Sequence, residues 1–277
     1  MADENRTFLV AGATGNVGRP LVEQLLAAGH RVRALSRDPA SANLPAGAEV
    51  VAGNLTDVAS LAEVFTGVAG AHLISFGDDE PELSTGPEIV SLAQQAGVGK
   101  VTVLRGDVRK TRLDEAVEAS GLEWTQLLPV EFMSNALWWA DSVRAGGVIR
   151  EPHPEAFSAM IHPADIAAVA MTALTTDGHA GREYWLTGPE ALTVPEKVRV
   201  LGEALGRELR CVELSEAEAV EQWRAAGFTA EDVDFFLELH RNPPIDGRTV
   251  LPTVQDVTGR PARTFASWAA ENADAFR

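Results

Sequence analysis

The sequence predicts an α/β protein of Rossmann type, a doubly wound parallel sheet with a smaller, mainly helical C-terminal lobe. Three observations predict it. Six short apolar runs alternate with helical stretches over the first 130 residues, the rhythm of parallel strands joined by right-handed crossovers. The first run leads into "LVAGATGNVG", with glycines at 12, 15 and 18. After Pro129 the rhythm breaks, and from Leu192 onward the pattern is mostly helical.

The elements follow in order. Thr7–Gly12 is a strand, and the next helix carries Val17, Leu21, Leu25 and Leu26 at helical spacing. Further strands are His30–Ser36, Ala48–Leu55, Gly70–Phe76, Lys100–Arg105 and Glu123–Pro129. Helices are expected around Val58–Phe65, Glu88–Ala96 and Leu113–Ala119. "FMSNALWWADSVRAG" reads as one helix ending at Gly146, and Pro152 and Pro154 mark a loop. "AFSAMI" reads as a short strand before "HPADIAAVAMTAL", a helix with Pro163 and Asp165 in its first turn. "GREYWLTG" reads as a strand that returns to the main sheet. Helices at Val194–Leu205, Glu216–Ala226, Ala230–Leu239 and Pro261–Asn272 complete the lobe.

The glycine loop points to a phosphate ligand. Gly12 makes the strand-to-helix turn, Gly15 lets backbone approach a pyrophosphate, and Gly18 permits close helix packing. The helix start then offers N–H groups and partial positive charge to phosphate. The spacing G-x-x-G-x-x-G is a variant of the dinucleotide fingerprint, placed where that fingerprint belongs. The second strand ends in "ALSRDP". An NAD site places a carboxylate there for the ribose 2′-hydroxyl. Here Ser36 is uncharged, Asp38 precedes Pro39 and is expected to turn away, and Arg37 supplies a guanidinium suited to a 2′-phosphate. Arg33 adds positive potential. The cofactor expected is NADP(H). The domain division expected is a binding core over 1–130, to which 157–188 returns, and a substrate lobe from 131–156 and 189–277.

Composition narrows the function. The chain has 277 residues, 45% hydrophobic and 23% charged, with a net charge of −17. Its pI is about 4.7. A nucleic-acid face needs clustered Lys and Arg, so no nucleic-acid partner is expected, and binding to anionic lipid is disfavoured. The only cysteine, Cys211, rules out an intrachain disulfide and a cysteine-based metal site and reads as a core residue on a strand. No leader-like or membrane-spanning apolar run is present, so a cytoplasmic monomer or homodimer is expected. His153, His162 and Asp165 lack the repeated spacing of a metal site.

"GATGNVGRPLVEQLLAAGHRVRALSRDP" resembles the NmrA-like branch of the atypical short-chain dehydrogenase/reductase family. The resemblance continues through "GNLTD", "ASGLEWTQLLPVEFMSN", "HPADIAAVA", "REYWLTGPEALTVPEKVRVLGEALGR" and "VTGRPARTFASWAAENADAF". It implies that Thr14, Asn16 and Val17 join Gly12 and Gly15 at the pyrophosphate and that Arg37 holds the 2′-phosphate. It implies further that Asn54 and Leu55 flank the adenine, that Ser75, Phe76 and Gly77 run beside the ribose and nicotinamide, and that Pro129 to Phe132 contacts the carboxamide.

The family holds NADPH-dependent quinone, ketone and isoflavone reductases, and also catalytically silent proteins that sense the cofactor. Short-chain reductases in general use Ser, Tyr and Lys, where the Tyr donates the proton, worth about 100- to 10,000-fold in rate. Here the only tyrosine, Tyr184, has Gly188 four residues later, and Arg105 and Gly106 stand at the serine positions. Lys110 reads as a surface lysine or a ribose ligand, and Arg105 and Asp107 as substrate polarisers or a mutual pair. No catalytic acid is assigned. Phe132, Asn135 and Trp139, with Trp138 alongside, fall at helical spacings that suit either a wall for a flat substrate or plain packing. Two functions follow. One is an NADPH-dependent reductase of a ketone or quinone on an apolar, aromatic, polyketide-like substrate, working without a tyrosine acid. The other is a non-catalytic NADP(H) sensor.

Overall fold

The computed structural model describes residues 5–76, 83–106, 109–241 and 245–277. The chain divides into two units. One comprises residues 1–129, 163–186 and 256–259, and the other 130–162, 187–255 and 260–277.

The first unit is built on seven strands: β1 (Thr7–Val10), β2 (Arg31–Ser36), β3 (Ala48–Ala52), β4 (Gly70–Ile74), β5 (Lys100–Leu104), β6 (Glu123–Pro129) and β8 (Arg182–Leu186). Between β6 and β8 in the chain comes β7 (Val148–Pro152), which belongs to the second unit. The order across the sheet is β3-β2-β1-β4-β5-β6-β8, all parallel. The strand order reverses between β1 and β4, and in open sheets of this kind ligands bind at the carboxyl ends of the strands beside that reversal.

Side-chain alternation gives the sheet two apolar faces. Leu9, Leu73, Val101 and Val103 pack with Ile89 of α2 (Gly86–Gln95) and with Leu113 and Val117 of α3 (Arg112–Ala119). Helices α1 (Gly18–Ala27) and α5 (Pro163–Thr175) pack on each other. The expected helix at Val58–Phe65 is only a 3₁₀ turn over Val58–Leu61. There the Asp57 side chain accepts from Ala59 N–H, and Ser60 donates to the Asp57 carbonyl. Side-chain bonds of this kind compete with helix propagation.

His72 of β4 is fully buried, its Nδ1 2.8 Å from Thr102 Oγ1. Burial holds its pKa down at about 4, against the ordinary 6.5. The folded ring therefore protonates only near pH 4, while the unfolded chain takes up the proton near 6.5. The unfolded state binds more protons in between, so this stability is whole above pH 6.5 and is lost as the pH falls towards 4, amounting to about 3 kcal/mol. Urea midpoints compared at about pH 7 and pH 4.5 should fall less steeply in His72→Leu/Thr102→Val than in the parent. Equal slopes would remove His72 as the cause.

The second unit is mainly helical. It contains α4 (Ala140–Gly146), α6 (Val194–Leu205), α7 (Glu216–Ala225), α8 (Ala230–Arg241), α9 (Ile245–Arg248) and α11 (Phe265–Glu271). The short α10 (Thr253–Thr258) begins in this unit and ends in the first. The core gathers Met133, Val143, Ile149, Leu201, Phe265 and Trp268. Two expectations fail here. The proline-marked stretch is β7, paired in parallel with β9 (Arg210–Leu214), and Pro152 is tolerated as the strand's last residue. "AFSAMI" forms no strand, only bridges from Ser158 to Leu192 and from Ile161 to Phe132. Cys211 lies on β9, half-buried, and burial and then the nearby glutamates push its thiol pKa up.

Candidate functional site

The parallel sheet brings the predicted cofactor residues of the first unit to one edge, because each follows the carboxyl end of a strand. Gly12 follows β1, Arg37 follows β2, Asn54 and Leu55 follow β3, Ser75 and Phe76 follow β4, and Pro129 closes β6. Gly77 and Asp107 lie outside the described residues.

Gly12 has φ +60°, a conformation open to glycine. Its carbonyl accepts the Gly15 N–H at 2.9 Å, and the Gly15 carbonyl accepts from Arg19 at 3.1 Å. A Cβ on Gly18 would sit 2.1 Å from the Gly12 carbonyl oxygen, so the helix start lies against the turn. Thr14, Gly15 and Asn16 are exposed, while Val17 is buried and is the N-cap residue. That cap has no side-chain bond, and the first turn has no acid. A bare helix start beside exposed backbone is the donor set a pyrophosphate needs, and on this ground the loop fits a dinucleotide.

At the end of β2, Asp38 accepts from Ala40 N–H, and Ser36 Oγ accepts from Asp38 N–H. The local carboxylate is thus turned into the bend, and Arg37 is exposed beside it. Arg33 does not add to this potential, since it is held by Glu49 at 3.0 Å and by the carbonyls of Val64 and Thr66. Asn54 Oδ1 accepts from Thr56 N–H, which leaves the amide end to meet a ligand. Leu55 is buried in the core, and its carbonyl accepts from Thr85 Oγ1 at 2.6 Å. Ser75 is buried, with its N–H on the Leu104 carbonyl. A Cβ on Gly106 would lie 2.7 Å from the Phe76 ring, so these two loops touch.

Residues weighed for catalysis are engaged elsewhere. The Tyr184 hydroxyl is 2.8 Å from His179 Nδ1, in the turn that enters β8 at the opposite edge of the sheet. Burial raises its pKa. Arg105 is buried. Its Nε lies 3.8 Å from Asp114 Oδ2, and its Nη1 donates to Gln126 Oε1 at 3.2 Å. Lys110 bonds Glu118 at 2.7 Å and reaches Glu183 at 3.2 Å, and these partners raise its pKa.

In the second unit, the expected single helix from Phe132 is a 3₁₀ helix over Met133–Trp139, followed by α4. Three residues per turn align Phe132, Asn135 and Trp138 and rotate Trp139 off that line. Trp139 is half-buried against the core and donates to Glu151 Oε1 at 2.6 Å. Trp138 is 64% exposed and meets Phe228 and Phe236 edge-on at 6.2 and 6.1 Å. Trp223 lies 5.8 Å from Phe236. Sequence reasoning missed these three partners. The doublet Phe235–Phe236 was a signal, but helical spacing treats it as packing.

Also unforeseen is buried Lys197, whose Nζ donates to Glu131 Oε2 at 3.3 Å, an oxygen that also accepts from Ser158 Oγ at 2.5 Å. His162 faces Glu271 at 3.1 Å and His153 faces Glu216 at 3.1 Å. Among the described residues no group of three or more His, Cys, Asp or Glu is placed to hold a metal. Likewise, no helix among them is long and apolar enough to cross a membrane.

Residues 12–177 match a family model described as NAD(P)H-binding. The chain is 38% identical over 283 residues to a (4-alkanoyl-5-oxo-2,5-dihydrofuran-3-yl)methyl phosphate reductase of Streptomyces griseus, covering 97% of this chain and 99% of the relative. Among solved structures it shares the fold of the NADPH-dependent quinone oxidoreductase of Escherichia coli complexed with NADPH. The TM-score is 0.79 at 24% identity, covering 95% of this chain and 99% of the other. The negative transcriptional regulator NmrA in complex with NAD also shares it, with a TM-score of 0.74 at 18% identity, covering 97% and 95%.

Proposed function

This chain belongs to the NAD(P)H-binding family and has the fold of the regulator NmrA, and we propose that it passes hydride from NADPH to an apolar, conjugated ketone or quinone. The oxidoreductase class and the NADP(H) cofactor are those of the family. The acceptor class is our inference.

The observation that carries it is Trp138. A tryptophan 64% exposed, edge-on to two phenylalanines, leaves aromatic surface in water that a flat apolar acceptor covers favourably. Asn135, in line with it on the 3₁₀ helix, offers an amide for a carbonyl or hydroxyl. Trp139, fixed by Glu151, backs this wall. The substrates named for two similar proteins agree in chemistry, since an alkanoyl-oxo-dihydrofuran and a quinone are both conjugated carbonyl compounds.

The chain's own part is binding and orientation. The Gly12–Gly18 turn and the bare start of α1 would hold the pyrophosphate, with Thr14, Asn16 and Val17 contributing at that turn. Arg37 would pair with the 2′-phosphate, and the Asn54 amide would meet the adenine edge with Leu55 beneath it. Ser75, Phe76 and Gly77 would follow the ribose and nicotinamide, and Pro129 and Phe132 the carboxamide. When bound, NADPH supplies the hydride, and the protein's contribution is near-attack geometry. A conjugated acceptor spreads the arriving negative charge onto its oxygen, so water or a neighbouring substrate hydroxyl can deliver the proton. This fits a site in which Tyr184 is tied to His179.

The test is oxidation of NADPH by a panel of quinones and conjugated ketones. Turnover should be faster with NADPH than with NADH. Arg37→Ala should lower NADPH affinity about 10- to 100-fold and leave NADH affinity nearly unchanged. Trp138→Ala should raise the acceptor KM without changing cofactor affinity. Tight NADPH binding with no oxidation by any acceptor would instead support the sensor reading, which the engaged Tyr184 and Arg105 favour.

A further inference from the structure

The second unit carries an open groove of about 980 Å³ that the reductase reading leaves unused. It runs along the β7–β9 ladder, α6 and the turn between α6 and β9. Arg150, Arg199, Arg207 and Arg210 line it, against Glu203 and Glu208. This local balance is opposite in sign to the chain's net charge of −17.

Two of the arginines are already answered. Arg199 pairs with Glu203 at 2.5 Å, and Arg207 donates to the Val143 carbonyl. Arg150 and Arg210 are exposed, and their side chains make no hydrogen bond or ion pair among the described residues. The ladder pairs Val148 with Arg210 and Arg150 with Val212. Side-chain alternation places all four on one face, opposite Ile149 and Cys211. Strand spacing and rise set the two arginine positions about 8 Å apart on a diagonal. Like charges on neighbouring strands repel, and no carboxylate among the described residues pairs with either of them. A bridging anion relieves that repulsion. Guanidinium forks match phosphate oxygens in particular, and Val148 and Val212 give the same face apolar ground for the rest of a small ligand.

We propose that this groove is a second ligand site, binding a soluble phosphate-bearing small molecule through Arg150 and Arg210. It shares no residue with the dinucleotide loop and does not depend on the reductase reading.

The test titrates inorganic pyrophosphate into the full chain by calorimetry at constant ionic strength. The protein is first saturated with NADPH, so that the probe cannot occupy the Gly12–Gly18 loop. One saturable site is expected, weakened about tenfold or more in Arg150→Gln/Arg210→Gln, with NADPH affinity and melting temperature unchanged. Arg150→Lys, which keeps the charge and loses the fork, should fall between parent and double variant. Heat that never saturates, or equal binding by the double variant, overturns the proposal. So does binding to phosphatidic acid vesicles without binding to pyrophosphate, which would make the face a membrane contact.

Discussion

Gly18→Ala is expected to disable cofactor binding and to destabilise the first unit. The added Cβ would sit 2.1 Å from the Gly12 carbonyl oxygen, 2.7 Å from its carbon and 2.8 Å from Ala13 Cα. All three are backbone atoms, so no side chain can swing aside. Either α1 moves away from β1 or the turn opens. Overpacking of this kind costs about 1–3 kcal/mol. A displaced turn no longer aims the start of α1 at the pyrophosphate, so NADPH affinity should fall about 100-fold. Gly146→Ala is the control, because a Cβ there meets nothing within 4 Å. Denaturant unfolding and a fluorescence titration with NADPH check both effects. A Gly18→Ala protein matching the parent in both would show that the close approach is unimportant.

Asp114→Ala is expected to cost about 3 kcal/mol in unfolding free energy, the lower end of what breaking a buried ion pair costs. Asp114 is fully buried. Its Oδ2 accepts from the Thr111 N–H and hydroxyl, both at 2.8 Å, closing the capping box of α3, and lies 3.8 Å from Arg105 Nε. Removing the carboxylate breaks the reciprocal half of that capping box and takes one of two nearby negative charges from a buried guanidinium. Half-exposed Glu183, 3.7 Å from Arg105 Nη1, limits the loss. Asp114→Asn keeps an acceptor for the cap and should recover about 1 kcal/mol. A loss below about 1 kcal/mol for the alanine variant in chemical denaturation would mean that Arg105 is carried by its other partners. The same geometry explains why Arg105 serves the fold.

The turns at the ends of β1 and β2 were legible because their signals are local. The turn at Gly12, the close approach at Gly18 and the bend that diverts Asp38 beside Pro39 each depend on residues within a few positions. The remaining signals needed distant partners. β7 and β9 pair across some 60 intervening positions, and neither run alternates strongly enough to overrule its prolines and charges. "FMSNALWW" has helical spacing, yet its backbone tightens to 3₁₀ as the Met133 N–H bonds the Ile161 carbonyl and Met133 and Ala136 enter the core. That changes which tryptophan shares a line with Asn135.

The sequence by itself determined the parallel α/β architecture and the glycine turn between β1 and α1, because strand periodicity and turn chemistry are written in neighbouring residues. Only the tertiary structure decided what the polar and aromatic side chains do. Tyr184 is spent on His179, Arg105 on Asp114 and Gln126, and Trp139 on Glu151, while Trp138 is left exposed beside Phe228 and Phe236. Each of these assignments depends on a partner brought near by folding, which spacing along the chain does not encode.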